Sequence, residues 1–69
     1  MKVLVVDDCL SIRTLMKRYL IEWGFEPLTA GSGPEALSMI RESGLPRLIV
    51  VDWVMPEMQG PEFIQEVPT

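Results

Sequence analysis

Three acidic residues stand at positions from which chemistry can be done. Asp7 and Asp8 follow the apolar run Val3-Leu4-Val5-Val6, and Asp52 follows a second such run, Leu48-Ile49-Val50-Val51. Carboxylates brought close together repel one another unless a cation stands between them. Mg²⁺ suits such a set, because it takes oxygen ligands in an octahedron and usually keeps several waters. Bound there, it would neutralise charge and leave open positions for a phosphoryl oxygen. A carboxylate can also attack phosphorus and form an aspartyl phosphate. Phosphoryl transfer asks mainly for positioning and charge neutralisation, which this set of residues offers. The structural alternative is that Asp7 and Asp8 cap the helix that follows them and Asp52 begins a turn.

The chemistry requires that the two acid-ended runs be neighbours, and the rest of the chain predicts that they are. Val3 to Val6 and Leu48 to Val51 are short, β-branched and apolar on both faces, as expected of buried parallel strands. Ile12, Leu15, Met16, Tyr19, Leu20 and Trp23 follow at spacings of three and four, a helical stripe stopped by Gly24. Arg13, Lys17, Arg18 and Glu22 fall mostly off that stripe, on the solvent side. Phe25 to Ala30 reads as a weaker strand, and Pro27 suits it to an edge. Ser32-Gly33-Pro34-Glu35 is a helix start, with Ser32 as cap and Pro34 in the first turn. Ala36, Leu37 and Ile40 give that helix a buried face, and Ser43-Gly44 and Pro46 end it. After a loop from Trp53 to Gly60, Pro61 opens a third helix with Phe63, Ile64 and Val67 as apolar positions.

Alternation of this kind, β-α-β-α-β-(α), predicts an α/β fold with a parallel sheet and right-handed crossovers. The two most apolar strands should be central neighbours, with the weaker one flanking the first, a local order of 2-1-3. Ligands of such sheets bind at the carboxyl ends of the strands where the order reverses. Asp7, Asp8 and Asp52 all fall at that crevice.

Composition narrows the function classes. Ten Asp and Glu stand against six Lys and Arg, with no His, a net charge of −4. Setting aside the three crevice acids leaves a near balance, so most of the net charge is local to one site. The sign excludes a general basic footprint for nucleic acid and argues against attachment to an anionic membrane. Cys9 has no second cysteine to pair with. No apolar run approaches membrane-spanning length, and MKVLVVDD is not a signal peptide, so a cytoplasmic location is expected. The 69 residues allow one small domain, which at this size buries only roughly 60% of the surface its unfolded chain exposes.

KVLVVDD, Arg13 on the first helix, and LIVVDWVMPEMQG together resemble the receiver domain of two-component response regulators. The likeness is to the chemotaxis type, down to the Trp after the central aspartate, and covers essentially all 69 residues. It implies a flavodoxin-like (CheY-like) sheet and residues 1–69 as the N-terminal half of a receiver. It also implies Asp52 as phosphoacceptor, Asp8 as the direct acidic metal ligand and Asp7 as the acid often acting through water. The backbone carbonyl of Val54 would complete a Mg²⁺ site, with Met55 and Pro56 shaping its rim and Gly60 turning into the third helix. The phosphoryl source would be a sensor histidine kinase, a phosphotransfer protein or a small phosphodonor. Such a domain is a phosphoacceptor in signalling rather than a conventional enzyme. A complete receiver is roughly twice this long. The Ser or Thr that ends its fourth strand and the Lys that follows its fifth have no counterpart here. Lys2 lies at the wrong end of its strand and Lys17 well along its helix, so neither substitutes.

Two other functions compete. In one, the half-domain is an interaction module without phosphotransfer. It would form a homodimer or swapped assembly through the unpaired edge of the third strand, with Leu15, Tyr19 or Trp23 partly bare. In the other, the chain is a Mg²⁺-dependent phosphohydrolase. That class wants a second Asp two residues after the first, where Val54 stands. A P-loop NTPase is excluded by the lack of G-x-x-x-x-G-K-[ST]. Smaller features have plainer readings. The acids beside Cys9 disfavour its thiolate, Arg13, Lys17 and Arg18 make a solvated basic face, Met55 and Met58 pack a loop, and Trp53 packs beside Asp52.

Overall fold

Strand alternation decides the layering. In the computed structural model, which describes residues 1–52 and 58–68, β1 spans Lys2–Val6. Its side chains point alternately to opposite faces. Leu4 and Val6 join Ala30, Ala36, Leu37, Ile40 and Phe63 in one buried cluster, while Val3 and Val5 join Leu20 in another. The elements then follow as α1 (Leu10–Glu22), β2 (Glu26–Ala30), α2 (Gly33–Ser43), β3 (Leu48–Val51) and α3 (Gly60–Glu66). Helix α1 covers one face of the sheet, and α2 and α3 cover the other.

The sheet is parallel with order β2-β1-β3, as the alternation predicts. Val6 is level with Ala30 of β2 and with Val51 of β3, so the carboxyl ends of all three strands are flush. Pro27 sits in β2, which among the described residues pairs only with β1.

Helix ends follow local chemistry. Gly24 adopts φ +88°, a left-handed conformation that costs glycine little. Its N–H donates to Ile21 O at 3.1 Å and the Phe25 N–H donates to Leu20 O at 2.9 Å, which is the bonding pattern of a Schellman stop. Phe25 then packs against the Leu20 cluster. At the start of α2, Ser32 Oγ accepts from the Glu35 N–H at 3.2 Å. The Glu35 carboxylate reaches back one residue beyond the cap, accepting from the Gly31 N–H at 2.8 Å. No helix among the described residues is long and apolar enough to cross a membrane.

One expectation needs correction. The apolar run of β3 is not buried on both faces: Leu48 is 48% exposed and Val50 38% exposed, while Ile49 and Val51 pack on the α2 and α3 side. Among the described residues β3 pairs only with β1, and α1 leans over β1 and β2 rather than over β3. The stripe on α1 is only half used. Leu20 is buried and Met16 packs beside it, but Ile12, Leu15, Tyr19 and Trp23 are exposed. Tyr19 and Trp23 stack on each other, with ring centroids 5.7 Å apart.

Phe63 and Ile64 separate core from surface within one short helix, since Phe63 is 0% exposed and Ile64 56%. Phe63→Ala should cost about 3–5 kcal/mol, comparable to the whole stability of a chain this small at roughly 0.05–0.15 kcal/mol per residue. Ile64→Ala should change stability by no more than about 0.5 kcal/mol. Urea unfolding followed by circular dichroism checks both, and equal losses would contradict the packing described.

Candidate functional site

The ladder bonds do not stop where the strands end. The Asp7 N–H donates to Ala30 O at 3.1 Å, and the Asp52 N–H donates to Val6 O at 2.9 Å. Each acid is thus held by a neighbouring strand, and Asp7 and Asp52 stand on the same edge of the sheet. Asp8 follows Asp7 into the connection to α1. One carboxylate oxygen from each of Asp7, Asp8 and Asp52 lies within 4.8 Å of the others. Asp7 and Asp52 are half-buried and Asp8 is exposed. All three acids therefore meet at the strand-order reversal, at the carboxyl ends of β1 and β3.

The capping alternative does not describe this loop. The cap position of α1 falls to Cys9, whose side chain makes no capping bond. Asp7 instead closes a tight turn, its Oδ1 accepting from the Cys9 N–H at 2.9 Å. Cys9 itself is a free, exposed thiol.

The donor set is all oxygen, which suits a hard cation such as Mg²⁺ rather than a thiolate-seeking metal. Ligands opposite one another around Mg²⁺ are about 4.2 Å apart, slightly less than the 4.8 Å spread. With one oxygen of Asp7 engaged by Cys9, direct ligation by two acids and a water bridge to the third fits the spacing. Val54, the expected carbonyl ligand, and Trp53, Met55 and Pro56 lie outside the described residues.

Sequence reasoning missed three supports of this edge. Arg13 was expected on a solvated face with Lys17 and Arg18. It turns back instead, and its Nη1 donates to the Asp7 carbonyl at 2.6 Å. Arg13 is half-buried, while Lys17 and Arg18 are exposed. The second support is the tie between Glu35 and Gly31. The third is Gly33, buried at the start of α2. A Cβ built there would stand 2.8 Å from Met58 Sδ and 2.9 Å from Met58 Cβ, so only glycine lets Met58 approach. The signal for the last two was the glycine pair flanking Ser32, since glycine marks places where other groups come close.

A sequence profile of the response regulator receiver domain matches residues 3–69. The chain belongs to that family. Among curated relatives, the chain is 42% identical over 66 residues to the probable transcriptional regulator ycf27 of Porphyra purpurea, covering 96% of this chain and 27% of the relative. It is 37% identical over 68 residues to chemotaxis protein CheY1 of Helicobacter pylori, covering 97% of this chain and 55% of that one. Among solved receivers, the response regulator protein TrrA of Thermotoga maritima, in complex with Mg²⁺-BeF, superposes with a TM-score of 0.85 at 43% identity. That match covers 94% of this chain and 56% of TrrA. The present receiver chain therefore spans from about a quarter to about half the length of the proteins it resembles.

Three carboxylates this close oppose folding when no cation is added, and Asp8 is the most exposed of them. Asp8→Asn should therefore raise the melting temperature of this receiver chain by a few degrees at low ionic strength. The gain should shrink near 1 M salt, where charges are screened beyond about 3 Å. Thermal scans with a chelator present measure it, and a lower melting temperature at low salt would contradict the repulsion.

Proposed function

We propose that this chain receives a phosphoryl group on Asp52 as part of a two-component phosphorelay, with Mg²⁺ held at the acidic crevice. The observation that carries the reading is the convergence of Asp7, Asp8 and Asp52 to within 4.8 Å at the carboxyl edge of the sheet. Membership of the receiver family and the Mg²⁺-BeF complex of TrrA support it. On this reading Asp8 and Asp52 would hold the ion directly and Asp7 through water, with the Val54 carbonyl as the further ligand that the family resemblance implies. Mg²⁺ would neutralise carboxylate and phosphoryl charge during transfer. An oxygen of Asp52 forms the new O–P bond while the bond from phosphorus to the donor breaks, and its electron pair leaves with the donor. The donor is a sensor histidine kinase, a phosphotransfer protein or a small acyl phosphate. Residues 1–69 are, on this reading, the part of a receiver that carries the acceptor and metal ligands.

Acetyl phosphate with Mg²⁺ tests the acceptor. Intact mass should show one added phosphoryl group on the native chain and none on Asp52→Asn. Asp8→Asn should reduce the yield and require more Mg²⁺. A native chain that is folded and saturated with Mg²⁺ yet never modified would overturn the assignment.

The edge of β3 favours a second reading, self-association of the chain. Leu45, Leu48, Ile49, Val51, Ile64 and Val67 border an apolar groove of about 320 Å³ beside that edge. A second copy pairing along β3 would supply partners for its backbone groups and cover Leu48 and Val50. Light scattering should then give twice the monomer mass, falling to the monomer for Leu48→Lys. A native chain that stays monomeric at high concentration would rule this out.

A further inference from the structure

We propose that Arg13 is a positioning residue for the acidic crevice, and that Gly31 leaves the space in which it works. The inference rests on reading Asp7, Asp8 and Asp52 as a cation site.

Arg13 lies one turn into α1 and is half-buried, unlike Lys17 and Arg18 further along. Its Nη1 donates to the carbonyl of Asp7 at 2.6 Å, a charge-assisted bond and so stronger than a neutral one. That carbonyl belongs to the peptide joining Asp7 to Asp8. Holding it sets the plane of that peptide, and hence the direction in which the Asp8 side chain leaves the backbone. The other groups of Asp7 are also engaged: its N–H by Ala30 O and its Oδ1 by the Cys9 N–H. Arg13 ties this turn to the body of α1 twice, through its guanidinium to Asp7 O and through its N–H to Cys9 O at 3.0 Å.

Gly31 makes room for the tie. It directly follows β2, beside the turn. A Cβ built on it would stand 3.0 Å from Arg13 Nη1 and 3.5 Å from Arg13 Cζ, closer than an ordinary contact for the first. It would also meet Glu35 Oε2 at 3.4 Å. Positive φ is confined to Gly24 and Gly44 among the described glycines, so what Gly31 offers is space beside the Arg13 guanidinium rather than a special backbone conformation. Its bare face lets the guanidinium lie between the ends of β1 and β2.

Charge and position act in opposite directions, which makes the inference decidable. Removing a positive charge beside a cation site should by itself tighten cation binding. Losing the hold on the Asp7–Asp8 peptide should loosen it, and outer-shell partners of metal ligands typically contribute 10–100-fold in affinity. Arg13→Met keeps the side-chain stem and removes both charge and donors. Calorimetric titration with Mg²⁺ alone should show binding about tenfold weaker for Arg13→Met, with partial recovery for Arg13→Lys. Gly31→Ala should weaken binding several-fold when Arg13 is present and have little effect in the Arg13→Met background. Equal or tighter binding by Arg13→Met, or a Gly31→Ala effect that persists without Arg13, would overturn the inference.

Amide hydrogen exchange without metal provides an independent measure. Asp8 and Cys9 amides should exchange faster in Arg13→Met while the Leu20 amide is unchanged, and unchanged exchange at all three would overturn the positioning role. If the native chain binds no Mg²⁺, the cation-site reading falls, while the exchange result still decides whether Arg13 holds the turn.

Discussion

The register of β1 against its two neighbours is the constraint on which the remaining structure depends. Val6 is level with both Ala30 and Val51, and the ladder runs one residue further, through the Asp7 N–H to Ala30 O and the Asp52 N–H to Val6 O. Side chains alternate along a strand, so a slip of one residue would turn Leu4 and Val6 away from α2 and α3 and bring Val3 and Val5 to that side. The same slip would move Asp52 out of line with Asp7. Core packing and site geometry are therefore two consequences of one pairing. Burial of Val3 to Val6 enforces it, because both faces of β1 have a helix to pack against.

The edge that carries the acids is shaped less by the acids than by the residues around them. Asp7 is held through its N–H, its carbonyl and one carboxylate oxygen, by groups from β2, α1 and the adjoining turn. Gly31 and Gly33 act as spacers on either side of Ser32, one admitting the Arg13 guanidinium and the other Met58. Repulsion among the carboxylates works against this arrangement, and the hydrogen bonds of the turn and the ladder oppose it. A site that concentrates negative charge in this way is suited to a partner that brings positive charge.

The helices are used unevenly. Helix α2 buries Ala36, Leu37 and Ile40, and α3 buries Phe63, against one face of the sheet. Helix α1 has a longer apolar stripe but buries only Leu20, because it covers β1 and β2 and leaves Leu15, Tyr19 and Trp23 in solvent. The exposed half of β3 lies on the flank that no described element covers. Both bare surfaces belong to elements whose sequence pattern is strongly apolar.

Much of the fold was legible in the residues alone. The four-residue apolar runs specify strands, Gly24 and Gly44 stop helices, Ser32 starts one and Pro27 suits an edge, because each effect acts within a few residues of its cause. The acidic site was legible too, since strand order follows from alternation and both central strands end in Asp. Burial was not legible for β3: whether Leu48 meets a neighbour depends on which elements pack beside it, and hydropathy carries no information about that. Nor was Arg13. Helical periodicity assigned it to solvent, and only the approach of α1 to the end of β1 across Gly31 turned its guanidinium inward to the Asp7 carbonyl. Local chemistry is written in neighbouring residues, whereas contacts between elements exist only once the sheet has brought them together.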